Sequence, residues 1–293
     1  LQAFLRICQD PDAEAIDCYC EGVRLGHRMR MPRTPAVYEK KDSWRIKYVD
    51  PATSAKSWAP NYKSARERLE VIEAKVNEDL AAGRMIKMTY AEAKAKYGEE
   101  LLLGALGLVE EALDKFRLNH DATHKVLINN RILARDMLSS PIVYDIAAEM
   151  ASIEEQGVPH LAIVWDFKSA HRLIQLDPRD WGLQACTMSD LRDEPPKAGD
   201  DILLNTVGTF GFSTAGYWWG RLAAMLVRAA HYGLGWALRA WILLFADDGK
   251  LLMPLSRLRS TIPTLFALFS VFGVPIKWTK VKGGQEFQWI GYW

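Results

Sequence analysis

Three aspartates stand where apolar runs typical of buried strands come to an end. Asp166 closes the run HLAIVWD at residues 160–166, and Asp247 and Asp248 lie together inside WILLFADDGKLLMPL at residues 241–255. An Asp-Gly pair between two apolar runs is typical of a hairpin turn. A turn needs only one aspartate, so the second one indicates a further role.

The charge of this acidic pair has no local compensation, because no basic residue occurs between Trp241 and Gly249. If the strands that end in acids are neighbours, three carboxylates converge at one sheet edge. Two unit charges about 4 Å apart repel by about 4 kcal/mol at an effective dielectric of about 20. A divalent cation removes this repulsion, and Mg²⁺ favours carboxylate, water and phosphate oxygens. Two such ions would serve a phosphoryl transfer, because they stabilise its attacking and leaving oxygens.

The composition is that of a globular protein without a strong overall charge. The chain has 293 residues, 49% of them apolar, and a net charge of +1. This length can bury a sizeable core and suggests one large or two ordinary domains. Because no global basic field exists, any binding of nucleic acid must rely on local patches. The chain begins with Leu1 and stops at Trp293, and we interpret it as a piece of a longer polypeptide.

Neither a membrane span nor a secretory signal is expected. Charged residues interrupt the longest apolar stretches, so no window reaches the eighteen or so uncharged residues of a span. The start of the chain carries Arg6 and then Asp10 instead of a basic region before an apolar one. The four cysteines form no paired CxxC framework, which favours free thiols in a reducing compartment. We therefore expect an intracellular protein, cytoplasmic or nuclear.

Hydrophobic periodicity and turn residues divide the chain into helices and strands. Residues 1–60 show no sustained period and are interpreted as an irregular N-terminal extension. Helices are predicted over residues 62–82, 140–156 with Ser140 as the cap, 213–233 and 261–272. Strands are predicted over residues 101–109, 116–120, 160–166 and 202–208, in the two arms of the hairpin around Asp247, and over 286–292. This order predicts an α+β fold with helices on one face of an antiparallel sheet.

Several motifs occur in the order known from one enzyme family. They are NYKSARERLEVIEAKVNEDLAAGRMI (61–86), FRLNHDATHKVLINNRI (116–132), WDFKSAHRLIQLDPRDW (165–181), GTFGFSTAG (208–216), FADDG (245–249) and FGVPIKWTKVKGGQEFQWIGY (272–292). In these segments the chain resembles the reverse transcriptases of retrotransposons, especially the gypsy-like and DIRS-type groups. The resemblance covers about residues 60–293.

The resemblance implies a right-hand polymerase fold that consists of fingers and palm, with the thumb absent. The fingers would span residues 61–160, completed by 181–208, and the palm residues 161–293. The implied activity is RNA-directed DNA synthesis. The implied partners are an RNA or DNA template with its primer and deoxynucleoside triphosphates, and the implied cofactors are two Mg²⁺ ions, or Mn²⁺ in their place.

The resemblance also implies roles for individual residues. Asp166 and Asp247 would be the main metal ligands, with Asp248 beside them. The residues implied at the incoming nucleotide are Arg117, Asp121, Phe167, His171, Phe210, Gly211 and Lys280. The residues implied to position the primer end are Trp289, Ile290 and Gly291.

Two departures from the family pattern concern the nucleotide. The lysine expected in the fingers before Arg117 is replaced by EEALDK, where Glu110 and Glu111 would repel a triphosphate and Lys115 is the nearest cation. His171 stands where the family usually has Tyr or Phe as a gate against the ribose 2′-hydroxyl, so looser discrimination between sugars is expected.

Other interpretations of the same residues remain open. Asp166 alone is also typical of an acid that ends a strand, and His171 of a partly buried polar residue. HDATH at residues 120–124 places two histidines four residues apart, as in a zinc hydrolase motif with Asp in place of Glu. A third alternative is a catalytically impaired polymerase fold that survives as a nucleic-acid-binding remnant, which Glu110 and Glu111 would favour.

Overall fold

The computed structural model describes residues 1–29, 31, 33, 39–40, 56–191, 194–234, 240–286 and 288–291. Its fold is α+β, as predicted. The helices of the described part are α1 (Gln2–Ile7), α2 (Ile16–Glu21), α3 (Lys63–Arg66), α4 (Leu69–Ala81), α5 (Tyr90–Tyr97), α6 (Val143–Gln156), α7 (Ser213–Leu234) and α8 (Leu258–Val271). The strands are β1 (Glu39–Lys40), β2 (Met85–Thr89), β3 (Ala105–Ala112), β4 (Lys115–Asp121), β5 (Asp136–Met137), β6 (His160–Asp166), β7 (Ala185–Cys186), β8 (Asp201–Asn205), β9 (Trp241–Phe245), β10 (Asp248–Pro254) and β11 (Lys282–Gly284).

A four-stranded antiparallel sheet holds the acidic motifs. Its strand order is β11-β6-β10-β9, and β9 and β10 form the predicted hairpin. Strand β6 covers the predicted residues 160–166 and lies between two neighbours. Its register with β10 sets Asp166 opposite Asp248. The two acidic motifs therefore meet at one end of the sheet, as the sequence predicts.

One face of this sheet is covered by two helices. Side chains on that face of β6 and β10 belong to the main core together with residues of α7 and α8. Trp165 packs its ring on Phe266 and Phe269 of α8, with centroids 6.2 and 5.7 Å apart. This face sets the side-chain alternation, because a shift of one residue would turn the apolar set away from the helices.

The opposite face also carries a helix, so the prediction of helices on one face only is wrong. Lys250 of β10 forms a buried ion pair with Glu149 of α6. Trp241 Nε1 of β9 donates to Ser152 Oγ of α6 at 3.2 Å. Lys250 is the polar residue in an otherwise apolar run, and its buried charge is matched by an acid from a distant helix.

The start of α6 differs from the prediction. The helix begins at Val143, and Ser140 is not its cap. Asp145, in the first turn, accepts a hydrogen bond from the backbone nitrogen of Ile142 at 2.7 Å and takes over the capping role. The helix ends at Gln156, as predicted, and Gly157 follows it in the left-handed conformation.

A second group of elements combines segments from before β6 with β7 and β8, which follow it in the chain. Strands β3 and β4 correspond to the strands predicted over residues 101–109 and 116–120 and pair with each other, with Asp114 in the turn at φ +57°. Strand β8 pairs with β2 and β7 in a three-stranded antiparallel sheet. The predicted helix 62–82 is divided into α3 and α4, and α4 packs Ile72 and Val76 against residues of β3 and β8.

The described residues of the predicted last strand, 286 and 288–291, do not form a strand. The strand there is β11, which ends at Gly284, and Ile290 and Gly291 form a turn with φ of +43° and +89°. Phe287 and Tyr292 lie outside the described residues. Glycine tolerates positive φ without strain, so the Gly291 position suits the turn better than a strand.

The N-terminal segment contains ordered structure where the sequence shows no period. Helices α1 and α2 pack on α7, and two arginines of α7 reach back to acids of this segment. Arg221 pairs with Asp12 at 2.6 Å, and Arg228 with Asp10 at 2.6 Å. Residues 34–38 and 41–55 of the predicted extension lie outside the described residues.

Two further results concern the cysteines and the apolar helices. The four cysteines, Cys8, Cys18, Cys20 and Cys186, are free thiols, as expected. In the part of the chain that the structure describes, none of the helices combines the length and the apolar character that a bilayer crossing requires.

Candidate active site

The three acids form one cluster, called here the acid cluster (Asp166, Asp247 and Asp248). Asp166 ends β6, Asp248 starts β10 in register with it, and Asp247 lies in the hairpin turn. The turn is fixed from two sides. Phe167 N donates to the carbonyl oxygen of Asp247 at 3.0 Å, and Trp219 Nε1 of α7 donates to that of Ala246 at 2.9 Å.

The negative charges of the acid cluster act on one another. The pKa of Asp248 lies above its usual value because of burial and the nearby charge of Asp247, with a smaller contribution from Asp166. The Lys280 charge lowers the same pKa and only partly offsets these effects. The carboxylates thus repel one another, as the sequence predicts.

Lys280 supplies a positive charge to the cluster. Its ammonium group donates a hydrogen bond to Asp166, which raises the pKa of Lys280. The backbone holds the lysine segment in place, since Lys277 N donates to the carbonyl oxygen of Asp166 at 2.9 Å. The sequence-predicted residue Lys280 therefore lies at the acids.

Phe167 and His171 follow β6 and face different surroundings. Phe167 is buried between Trp219 and Phe269, with ring centroids 5.6 and 5.1 Å away, so it supports the site from the core. His171 contacts the ring of Phe210 edge-on at 4.9 Å, and its Nδ1 lies 3.3 Å from the carbonyl oxygen of Ala215.

The His171 imidazole lies within electrostatic reach of both halves of the predicted site. Burial lowers its pKa, the charge of Asp247 raises it, and the charge of Arg117 lowers it. The net direction is downward, which favours the neutral ring. His171 thus links the acid cluster to Arg117 on β4.

Arg117 stacks its guanidinium over Phe210, with its Cζ atom 4.6 Å from the ring centroid. Arg117 also forms an ion pair with Glu111, which accepts from Lys115 at 2.7 Å as well. The predicted repulsion by Glu111 is therefore balanced locally by two cations. A cleft of about 240 Å³, lined in part by Arg117 and Phe210, opens beside these residues.

Both carboxylate oxygens of Asp121 accept hydrogen bonds from nearby residues of the chain. Its Oδ1 accepts from the backbone nitrogens of Thr123 and His124 at 2.7 and 3.0 Å, and its Oδ2 accepts from the Tyr62 hydroxyl. Burial raises the pKa of Asp121, but these hydrogen bonds outweigh burial and lower it. Asp121 shapes the turn after β4, four residues from Arg117.

Gly211 lies where backbone from two segments meets. It has φ +100°, and a Cβ atom there would come within 1.8 Å of the carbonyl oxygen of His120. Asn129, which was not among the predicted site residues, holds the Gly211 loop through two hydrogen bonds. Its Nδ2 donates to the carbonyl oxygen of Gly211 at 2.7 Å, and its Oδ1 accepts from Ser213 N at 3.0 Å. No local pattern marks this role of Asn129, because Gly211 and Ser213 lie more than eighty residues away in the chain.

Of the residues predicted to position the primer, Trp289 contacts the sheet face that carries Asp248, farther along β10. Trp289 is buried and has the Lys250 ammonium 5.1 Å from its ring centroid. Lys250 is two residues from Asp248 on β10, so the two point to one face. Trp289 also lines a largely apolar cavity of about 580 Å³ beside α6. Ile290 and Gly291 form the turn that follows it.

The acid cluster suits a hard divalent cation by its chemistry. Its donors are carboxylate oxygens, which Mg²⁺ and Mn²⁺ accept, and the charges of Asp247 and Asp166 act on Asp248 without full compensation. Within the described residues, no group of three His, Cys, Asp or Glu side chains is arranged to hold a metal ion. Lys280 engages one oxygen of Asp166.

The HDATH segment does not form the helix that a zinc hydrolase motif requires. His120 is buried in β4, while His124 is exposed in the turn after it. Burial lowers the pKa of His120 to about 4. The two histidines therefore do not share one helix face.

Comparisons with protein-family models and with curated proteins find no match to this chain.

Proposed function

We propose that this chain is the fingers and palm of a reverse transcriptase, an RNA-directed DNA polymerase. The observation that carries the proposal is the register of β6 and β10. It sets Asp166 opposite Asp248 and leaves Asp247 in the turn between paired strands. Carboxylates from separate motifs that meet at one sheet end are suitable ligands for the two metal ions of a nucleotidyl transfer.

In this proposal, two Mg²⁺ ions held by Asp166 and Asp247, with Asp248 beside them, would neutralise charge as a primer 3′-hydroxyl attacks the α-phosphate of a deoxynucleoside triphosphate. Arg117 binds phosphate oxygens of that nucleotide, and Phe210 keeps Arg117 oriented by stacking. His171 borders the sugar. Lys280 supplies positive charge and a proton near the leaving pyrophosphate.

The right-hand fold belongs to the same proposal. The fingers comprise residues 61–160 with 181–208, and the palm comprises residues 161–293. Hairpin β3–β4 supplies Arg117, and the central sheet supplies the acids. The primer-template duplex approaches the end of the sheet that carries the acid cluster. Its affinity rests on local cations, because the net charge is only +1.

The test is primer extension on an RNA template by the parent chain and by Asp166→Asn. The amide keeps the volume of the side chain and removes its charge, so extension should fall by at least about 100-fold while the fold stays intact. Asp114→Asn makes the same change in an exposed turn and serves as the matched control. Undiminished extension by Asp166→Asn would exclude the assignment.

A second candidate function is a polymerase fold that binds nucleic acid without synthesis. The ion pair between Glu111 and Arg117 favours it, because an occupied arginine binds phosphate less readily. A chain that binds primer-template and shows no extension with either Mg²⁺ or Mn²⁺ would support this second function.

A further inference from the structure

Beside the candidate nucleotide site, a carboxylate of the chain itself forms ion pairs with two cations. Glu111 accepts from Lys115 Nζ at 2.7 Å and from the guanidinium of Arg117. Hydrogen bonding by Lys115 lowers the pKa of Glu111, so this carboxyl is anionic at neutral pH. The two cations share this one carboxylate, and the three side chains are called here the hairpin triad (Glu111, Lys115 and Arg117).

A β-bulge creates this contact. In the ladder of β3 and β4, Val109 lies opposite Arg117, and Glu110 lies opposite Phe116. The next pair is Ala112 with Lys115, so Glu111 is the extra residue of the bulge. Bulges redirect side chains relative to a regular ladder. The hairpin thus diverts one additional acid onto Arg117.

The surroundings of Arg117 make Glu111 exchangeable for another anion. Phe210 covers one side of the guanidinium at 4.6 Å, which fixes its plane and leaves its donors for anions. Glu111 brings one negative charge to a pair of cations, whereas a triphosphate brings several charges and many acceptor oxygens. A polyanion therefore competes with Glu111 better than a single carboxylate does.

We propose that Glu111 is an internal competitor for the triphosphate, and that a nucleotide reaches Arg117 and Lys115 only by displacing it. Glu111 is then a specificity-determining residue that selects highly charged ligands over monoanions. This inference rests on the proposed function, because it takes the hairpin triad as part of the nucleotide site.

The experiment measures binding of inorganic tripolyphosphate by calorimetry, without primer-template. Glu111→Gln keeps the shape of the side chain and removes its charge. The matched control is Glu110→Gln, the same change one residue earlier, where the described part of the chain shows no ion pair. We expect Glu111→Gln to bind tripolyphosphate about fivefold more tightly than the parent, and Glu110→Gln to bind as the parent does. Adding Arg117→Ala to Glu111→Gln should remove the gain.

Equal affinity of the two glutamine variants would overturn the inference, and so would failure of Glu111→Gln to bind tripolyphosphate. If Glu111→Gln does not fold, Glu111→Ala takes its place with the same expectation. Primer extension, measured separately, distinguishes this inference from the proposed function. Extension by the parent with equal affinities overturns the inference alone. A gain in Glu111→Gln without extension by any variant retains the anion site and overturns the polymerase assignment.

Discussion

The Lys280 ammonium donates a hydrogen bond to the Asp166 carboxylate and joins positions 114 residues apart. The contact brings a cation from the segment before β11 to the acid that ends β6. The backbone bond from Lys277 N to the carbonyl oxygen of Asp166, at 2.9 Å, fixes the same segment. Lys280 is therefore held at the acid cluster by backbone as well as by charge.

Replacement of Lys280 by methionine tests whether this cation takes part in the reaction. We expect the single-turnover rate of nucleotide incorporation to fall by about 100-fold, because a positioned proton donor contributes at least that factor. Stability should change by under about 1 kcal/mol, since the Lys280 side chain is half-exposed and the pair is screened by solvent. Lys282→Met, in an exposed neighbour on β11, is the control. An unchanged rate in Lys280→Met would remove Lys280 from the reaction.

His171→Tyr tests the sugar gate. The larger ring beside Phe210 should raise discrimination against ribonucleotides by about tenfold. The measurement is the ratio of kcat/KM for a deoxynucleotide to that for the matching ribonucleotide, with exposed His124→Tyr as the control. If both variants keep the parent ratio, His171 does not act as a gate.

Gly211→Ala tests the close packing of the loop on β4. Alanine at φ +100° is strained, and its Cβ would meet the carbonyl oxygen of His120 at 1.8 Å. We expect the free energy of unfolding to fall by about 2–4 kcal/mol. Gly216→Ala lies in α7, where the added Cβ meets no atom within 4 Å, and should be neutral or slightly stabilising. Equal stability of the two variants in urea titrations would contradict the loop geometry.

His120 makes the stability of the fold depend on pH. Burial lowers its pKa from 6.5 to about 4, so on acidification the unfolded chain takes up the proton first. The stability due to the neutral ring is complete above pH 6.5 and is lost as pH falls toward 4, by about 3 kcal/mol.

Urea titrations of the parent and of His120→Gln at several pH values test this dependence. From pH 7 to pH 4, the free energy of unfolding of the parent should fall by about 3 kcal/mol more than that of His120→Gln. His124→Gln removes an exposed imidazole and should follow the parent. Parallel pH curves for the parent and His120→Gln would show that His120 does not cause the loss.

Local sequence patterns predict the elements at the acid cluster well. The apolar run that Asp166 ends forms β6 over the predicted residues, and the Asp-Gly signal marks the hairpin of β9 and β10. Both depend on neighbours in sequence, since alternation, apolar content and turn residues act over a few positions. The pairing of β6 with β10 follows because each strand has a continuous apolar side to bury.

Contacts between distant segments could not be predicted in this way. The Lys250–Glu149 pair places α6 on the second sheet face, and the two residues are 101 positions apart. The hydrogen bond from Asn129 to the carbonyl oxygen of Gly211 likewise joins separate motifs. The sequence predicts that Glu111 repels a triphosphate, because it does not show the bulge that turns this acid toward cations. The first two contacts depend on tertiary packing and the third on a local bulge in the β3–β4 hairpin, and sequence spacing encodes neither.

The central claim is tested most directly by Mg²⁺-dependent primer extension on an RNA template, with the parent chain and Asp247→Asn side by side. Asp247 lies in the hairpin turn, its backbone carbonyl bonded to Phe167 N at 3.0 Å, so the amide should leave the fold unchanged. The account predicts extension by the parent and its loss in Asp247→Asn. Extension that persists at the parent rate in a folded Asp247→Asn would contradict it.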